Sequence, residues 1–414
     1  MKYLFINSVA GFGSTGRLIE ETARALTRQG HTCSIAYARK AAPGEIPTVA
    51  IGSPLDYRLH ALRHRLFGTG GFGSRAATAK FLRWVEEYDP DVIWLHNLHG
   101  YYIHIGLLFD YLRQCGKEIR WTLHDCWAFT GNCPYFSSIG CEKWKQGCGG
   151  CPQLGLYPKA LRDATAENYK KKRALFTNIP NLTLYVPSWW LAGLVSQSFL
   201  KDYPIRVVPN TCDTAVFKPT ESDFRQKYGL EDRFVVLGVA NVWEPRKGLG
   251  DFIRLYQLLP DRCKIVLIGL TNQQIAQLPK AILGLPRTGS PRELAQAYTA
   301  ADVYVCPSAE ETFGMTVLEA ACCGTRPIVY ENTACQEVAQ AHGGIFVSKG
   351  PEHLARAITA LLKNTQEEQA RSVIPSPIPR PGRAFLPSIC LRFCTSPGSA
   401  RSPTICWAFT RPRP

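Results

Sequence analysis

Two glutamates, Glu311 and Glu319, stand with seven residues between them around a short loop that contains Gly314. The apolar run Val303–Cys306 before them reads as a buried strand. Thr316–Cys323 reads as an apolar helix that stops at Gly324. A strand, a glycine loop and a helix N-terminus in succession gather unpaired N–H groups and partial positive charge where a diphosphate can sit. Glu311 in the loop and Glu319 in the helix can then bracket a sugar nucleotide, one accepting hydroxyls of the sugar and the other those of the ribose. Thr312, Phe313, Gly314 and Met315 are accordingly expected to line the donor site. Glutamates are ordinarily solvated. Glu319, however, is embedded among Val317, Leu318, Ala320, Ala321, Cys322 and Cys323, where a charge needs a partner or a ligand.

A second glycine cluster, Gly11-Phe12-Gly13-Ser14-Thr15-Gly16, follows the first strand and opens the first helix. It fits the dinucleotide fingerprint G-x-G-x-x-G. The acid that would hold a ribose after the second strand is missing from Ala36-Tyr37-Ala38-Arg39-Lys40, although an arginine there suits a 2′-phosphate, so an NADP-dependent oxidoreductase stays open. His96 and Asn97 end another strand and point to the acceptor side of a cleft. Cys133, Cys141, Cys148 and Cys151 crowd one long loop beside Gly147, Gly149 and Gly150. Four thiolates there would make a closed tetrahedral zinc site; four free thiols, or two disulfides in a secreted chain, are the alternatives.

The segment Glu311–Glu319, followed by Ala320-Ala321-Cys322-Cys323-Gly324-Thr325-Arg326-Pro327, resembles the signature of the retaining glycosyltransferases of family four, which have the GT-B fold. Trp243-Glu244-Pro245-Arg246-Lys247-Gly248-Leu249 resembles that family's phosphate-contacting loop. The resemblance runs in order through about residues 1–365, and Trp121–Cys151 is most similar to enzymes that build capsular or exopolysaccharide units of the colanic acid type. It implies a hexosyltransferase that takes a nucleotide-diphosphate sugar and a glycan or lipid-linked oligosaccharide acceptor, retains the anomeric configuration and needs no catalytic cofactor. Nucleic acid is not among the partners it implies. Arg246 and Lys247 would neutralise the departing diphosphate, where negative charge develops in the transition state. The family places a further arginine six residues before the lysine; here Asn241 stands there. By the same resemblance His124, ending the strand Trp121–Leu123, would hydrogen-bond the transferred sugar, with a merely structural His124–Asp125 pair as the plainer alternative. Gly13 and Ser14 would face the acceptor near the leaving group.

These residues need a scaffold, and the chain alternates strand and helix throughout. Strands are expected at Tyr3–Val9, Thr32–Tyr37, Val92–His96, Ile119–Leu123 and Thr183–Val186, with helices at Thr15–Gln29, Ala77–Glu87, Ile105–Arg113 and Trp189–Phe199. A second series places strands at Phe234–Ala240, Lys264–Ile268, Val303–Cys306, Pro327–Tyr330 and Gly344–Val347, with helices at Gly248–Leu259, Pro291–Ala300, Thr316–Cys323 and Glu352–Leu362. Such alternation predicts an α/β protein of two Rossmann-like domains facing a cleft. The expected divisions are 1–208 for the acceptor side, 209–370 for the nucleotide-sugar side, and a tail at 371–414.

The 414 residues carry a formal charge of +15 and sixteen cysteines, with 45% hydrophobic residues. No apolar run is long enough for a transmembrane helix and no signal-peptide pattern opens the chain, so a cytoplasmic protein with reduced thiols is expected. The basic balance suits a diphosphate substrate, an anionic membrane or nucleic acid. Leu59–Phe67 mixes basic and apolar residues at helical spacing and, with Arg58, Arg75 and Lys80, can lie on the inner face of a membrane or be a solvated basic helix. The tail carries seven arginines, no lysine and no acid. Its Pro- and Arg-rich composition reads as disordered, or as the product of a shifted reading frame that would leave a glycosyltransferase remnant without activity.

Overall fold

The computed structural model describes residues 1–372, with side chains through residue 364. Residues 1–360 form one compact unit; from Leu361 a second begins, described only as the end of the helix Pro351–Ser372. The expected tail at 371–414 thus lies outside the described residues apart from Arg371 and Ser372, which close that helix.

The first sheet has seven strands in the order Thr48–Ala50, Thr32–Tyr37, Lys2–Ile6, Val92–Leu95, Glu118–Thr122, Leu182–Val186, Ile205–Val207. The second has six, in the order Leu283–Leu285, Cys263–Ile268, Phe234–Val239, Val303–Cys306, Arg326–Tyr330, Ile345–Val347. Every neighbouring pair in both is parallel. Parallel strands need crossovers, and the crossover helices cover both faces, so the central strands read as unbroken apolar runs. Val303–Cys306 is buried at every position, and Phe234–Val239 at all but its last.

In both sheets the chain fills one side from the first strand and then crosses to the other. The reversals fall between Lys2–Ile6 and Val92–Leu95, and between Phe234–Val239 and Val303–Cys306. Loops leaving the two central strands diverge there, which opens a crevice at the carboxyl ends of the strands. The segments singled out for chemistry, 11–16, 96–97, 241–249 and 307–315, all follow those four strands.

Differences from expectation have local causes. The first strand stops at Ile6, not Val9. Asn7 turns the chain: its Oδ1 accepts the Asn97 N–H (3.2 Å) and its Nδ2 donates to the Val9 carbonyl (2.8 Å). The helix starting at Trp189 ends at Val195, where the Ser198 hydroxyl and backbone N–H both take up the Val195 carbonyl. Helices Thr165–Phe176 and Ala334–Ala341 were not expected; polar residues hide the period of the first, and the second buries only one narrow face.

The helix Pro54–Phe67 is well delimited, with a Ser53–Asp56 capping box, Pro54 in its first turn and left-handed Gly68 as its stop. Its faces are inverted. His60 and His64 are its buried residues, while Leu55, Leu59, Leu62, Leu66 and Phe67 are exposed. His60 Nε2 accepts the Gly73 N–H (3.1 Å) and its Nδ1 meets the Ser74 hydroxyl (3.0 Å), so both ring nitrogens are satisfied inside the protein. Burial first, then the positive groups around it, pushes the His60 imidazole down to about 3.

Candidate active site

The phosphate-side loop leaves the strand Phe234–Val239 and turns through a single 3-10 turn, Pro245–Lys247. Gly248 follows with φ 78°, and a Cβ there would stand 2.4 Å from the Pro307 carbonyl. Only glycine lets this loop lie directly on the end of the strand Val303–Cys306. That contact delivers Arg246 and Lys247 to Glu311. Lys247 Nζ pairs with Glu311 Oε1, and an Arg246 guanidinium nitrogen stands 3.9 Å from the same oxygen. Burial pushes the Glu311 carboxyl up, but Lys247 and then Arg246 more than reverse this and hold it below the usual glutamate value. Arg246 also donates to the Glu310 carbonyl (3.1 Å) and lies 3.8 Å over the Tyr135 ring.

Glu319 is one turn into the helix Met315–Cys322, which begins after left-handed Gly314. Its Oε2 accepts the Tyr298 hydroxyl (3.1 Å). Burial raises its carboxyl to about 7, with Tyr298 and then Arg17 of the first helix pulling it back. The partner required by its apolar surroundings is therefore a tyrosine, supplied from within. Phe313 is buried, Met315 half-buried, and Asn241 exposed at the start of its loop.

On the facing side, the helix Gly13–Arg28 starts without a side-chain cap. Gly13 has φ 65°, Ser14 beside it is exposed, and a Cβ on Gly13 would meet nothing within 4 Å. The first N–H groups of this helix are thus open to a ligand. His96 and His124 are brought together: His96 Nδ1 and His124 Nε2 are 3.0 Å apart, and the rings stack at 5.3 Å. Burial lowers His124 to about 4 and His96 well below its ordinary value, so both are neutral at pH 7. His96 Nε2 is buried without a hydrogen-bond partner in the protein, which fits a polar ligand group at the small cavity it lines with Asn97 and His124.

The structural pairing of His124 with Asp125 does not form. Asp125 Oδ2 meets His99 Nε2 instead (2.8 Å), and its Oδ1 accepts the Trp127 N–H. Burial raises the Asp125 carboxyl, and His99 outweighs this and lowers it. His99 escaped the sequence reading, although it lies three residues past His96.

Also unforeseen was Glu310. It is fully buried, and its two carboxylate oxygens accept the backbone N–H groups of Phe136 (2.8 Å) and Ser138 (3.0 Å). Thr312 donates from Oγ1 to the His124 carbonyl (2.7 Å) and accepts Ser188 Oγ at its own carbonyl (2.8 Å). Glu337 accepts the N–H groups of Trp189 and Trp190 at 2.8 and 2.6 Å. The two sheets are thus joined through residues adjacent to Glu311. In sequence, nothing separates the two members of the Glu310-Glu311 doublet; only the topology gives them opposite directions.

Cys133, Cys141, Cys148 and Cys151 all line one small cavity. They are free thiols, and among the described residues no three His, Cys, Asp or Glu side chains stand in a metal-holding group.

Two Rossmann-like sheets, with cations at the switch point of one and an uncapped helix start on the other, define a GT-B glycosyltransferase. Residues 15–216 match the family described as Glycosyltransferase Family 4, and residues 220–374 match Glycosyl transferases group 1. The chain belongs to these group 1, family 4 glycosyltransferases, which leaves the oxidoreductase reading of Gly11–Gly16 without support. It is 27% identical over 293 residues to WcaC of Escherichia coli K12, assigned to colanic acid biosynthesis as a glycosyl transferase, covering 69% of this chain and 70% of the relative. It is 30% identical over 188 residues to an alpha-galactosylglucosyldiacylglycerol synthase of Streptococcus pneumoniae, covering 40% of this chain and 49% of that one. Among solved structures, HepE of Anabaena in complex with UDP and glucose shares the fold, with a TM-score of 0.62 at 18% identity over 89% of this chain and 91% of the other.

Proposed function

We propose that this glycosyltransferase moves a hexosyl group from a nucleotide-diphosphate sugar, with retention, to a lipid-linked glycan acceptor during synthesis of a bacterial surface polysaccharide or glycolipid. The observation that carries the donor half is the cluster Arg246–Lys247–Glu311 at the switch point of the second sheet. Two cations converge there on one largely buried carboxylate. An incoming diphosphate competes with Glu311 for Lys247 and leaves the carboxylate to accept sugar hydroxyls. In the reaction the bond from the anomeric carbon to the diphosphate oxygen breaks, and its electron pair leaves on the diphosphate beside Arg246 and Lys247. An acceptor hydroxyl oxygen bonds to the same carbon, and its proton passes to the departing diphosphate. Neutral His96 and His124 orient the sugar by hydrogen bonds, each with one N–H and one acceptor nitrogen, since neither is the cation that could act as a general acid at pH 7. Asn241, standing where the family resemblance puts an arginine, leaves Arg246 as the second phosphate cation. The names of the relatives and of HepE support the polymer or lipid product and the choice of nucleotide donor; retention rests on the family resemblance.

A panel of UDP-, GDP- and ADP-hexoses tests the donor. One of them at a hundred times its dissociation constant should add about 2.7 kcal/mol of stability in a thermal-shift experiment. If none raises the melting temperature, the donor reading fails. Proton NMR of the product gives the anomeric configuration, and an inverted centre refutes retention.

The lipid-linked acceptor is supported by the inverted helix Pro54–Phe67. Leu55, Leu59, Leu62 and Leu66 follow one another at helical spacing on its exposed side, flanked by exposed Arg58, Arg63 and Arg65. Leu161, also exposed, is tied to this helix through its N–H to the Arg65 carbonyl (2.8 Å). An apolar stripe edged by arginines is the chemistry of an anionic bilayer surface. Among the described residues no helix is long and apolar enough to cross a membrane, so contact through this stripe would be peripheral. Flotation with phosphatidylglycerol vesicles should carry the wild-type protein. The triple variant Leu59→Ser, Leu62→Ser, Leu66→Ser should lose roughly tenfold in affinity for each leucine removed while keeping donor binding. Equal flotation of the two proteins, or none by either, counts against the membrane surface.

A further inference from the structure

The segment 123–164 has no helix longer than one 3-10 turn among Trp127–Phe129, Ser137–Ile139 and Lys143–Lys145. A connection of this length inside a compact unit needs a tie of its own. Its role demands rigidity. Tyr135 lies under the Arg246 guanidinium, and the backbone N–H groups of Phe136 and Ser138 hold Glu310. Cys133 and Cys141 bracket that tetrapeptide. Cys148 and Cys151 approach from the far end of the segment, and all four line the same cavity against Phe136 and Trp144.

We propose that Cys133, Cys141, Cys148 and Cys151 bind one zinc ion as four thiolates, and that this metal fixes the loop that clasps the donor-side residues Glu310 and Arg246. Three local features suit thiolate ligands. The Gly131 N–H donates to Cys148 Sγ (3.1 Å). Between Cys148 and Cys151 stand Gly149 and Gly150, with φ 153° and 55°, so the Cys-x-x-Cys backbone folds back on itself as a metal knuckle requires. Lys143 Nζ spans the Gly149 and Gly150 carbonyls (2.9 and 2.8 Å), placing a cation beside a cluster that would carry two negative charges. As placed, the sulfurs form no metal-holding group; binding requires the four side chains, which already line one cavity, to turn toward a common point in it. On binding, one Zn²⁺ enters from solution, four S–H protons leave to water, and four Zn–S bonds form. No position stays open on such a site, so the metal is structural and takes no part in transfer.

The test is metal content, which is independent of any activity and so distinguishes failure of this site from failure of the donor reading. The full chain, purified without added metal, is analysed for transition metals. Its cysteines are then alkylated before and after treatment with a chelator and located by mass spectrometry. One equivalent of zinc is expected, with these four cysteines protected until the chelator is added. The variant Cys148→Ser, Cys151→Ser should carry no zinc; should it fail to fold, the alkylation pattern of the wild-type protein decides alone. Less than about a tenth of an equivalent of zinc in the wild-type protein, a disulfide within the set, or full zinc retention by the double variant overturns the proposal.

Discussion

Lys247→Gln is expected to lower kcat/KM by about 10²–10³, the usual consequence of removing one group aimed at charge that develops in a transition state. Glu311→Gln should lower turnover to a similar degree. The two variants should also be less stable than wild type. Each leaves the other member of a largely buried ion pair uncompensated, and breaking such a pair costs on the order of 3–5 kcal/mol, less here because Arg246 remains near Glu311. The double variant Lys247→Gln, Glu311→Gln separates the two effects. Two amides can hydrogen-bond where the charges met, so much of the lost stability should return. The rate should not return, since no cation remains beside the leaving diphosphate except Arg246. Thermal melts and initial rates on the four proteins check this. If the double variant recovers rate along with stability, the pair is structural and the catalytic reading is wrong.

Acid should destabilise this protein well above the pH at which ordinary carboxylates titrate. His60 is held near about 3 and His124 near about 4, both chiefly by burial, and His64 and His96 are lowered for the same first reason. A histidine with a depressed folded value binds fewer protons folded than unfolded. Its contribution is complete above the ordinary value of 6.5 and is lost as pH falls from there through the folded value. The shifts correspond to roughly 5 kcal/mol for His60 and roughly 3 kcal/mol for His124, a large share of the stability of an ordinary domain. Glu319 acts with the opposite sign. Its carboxyl is raised to about 7, so its contribution is present below the ordinary glutamate value and is lost as pH rises through 7. Urea midpoints measured from pH 8 to 4 should therefore fall steeply below about pH 6.5. A profile that stays flat down to pH 5 would show that these histidines are hydrated in solution.

The fold was legible because it is repetitive. Val303–Cys306 and Pro291–Ala300 lie where their periodicity put them, since a parallel sheet covered on both faces writes an apolar run for each central strand. The helix Ala334–Ala341 was invisible because only one narrow face is buried. The charges at 246, 247 and 311 were legible as residue types at loop positions. Their convergence was not, because it depends on Gly248 lying against Pro307, a contact between segments sixty residues apart in the chain. Glu319 illustrates the other kind of gap. Its apolar surroundings correctly demanded a partner, yet the partner, Tyr298, comes from a neighbouring helix that no local pattern could nominate. The inverted helix at Pro54–Phe67 reads only as mixed, because buried histidines are counted as polar and exposed leucines as core.

The tie between the two halves is written largely in main-chain atoms. Glu310 and Glu337 grip N–H groups of Phe136, Ser138, Trp189 and Trp190, and Thr312 exchanges hydrogen bonds with the His124 carbonyl and Ser188. Peptide groups present the same donors whatever side chains they carry. The acceptor half can therefore change its surface residues, and with them the glycan it recognises, without renegotiating its grip on the donor half. Recombination between related genes near residue 210 would then yield working hybrids whenever the incoming donor half brings glutamates at the positions of 310 and 337, which makes the pair a compatibility mark for exchanging sugar specificity by shuffling.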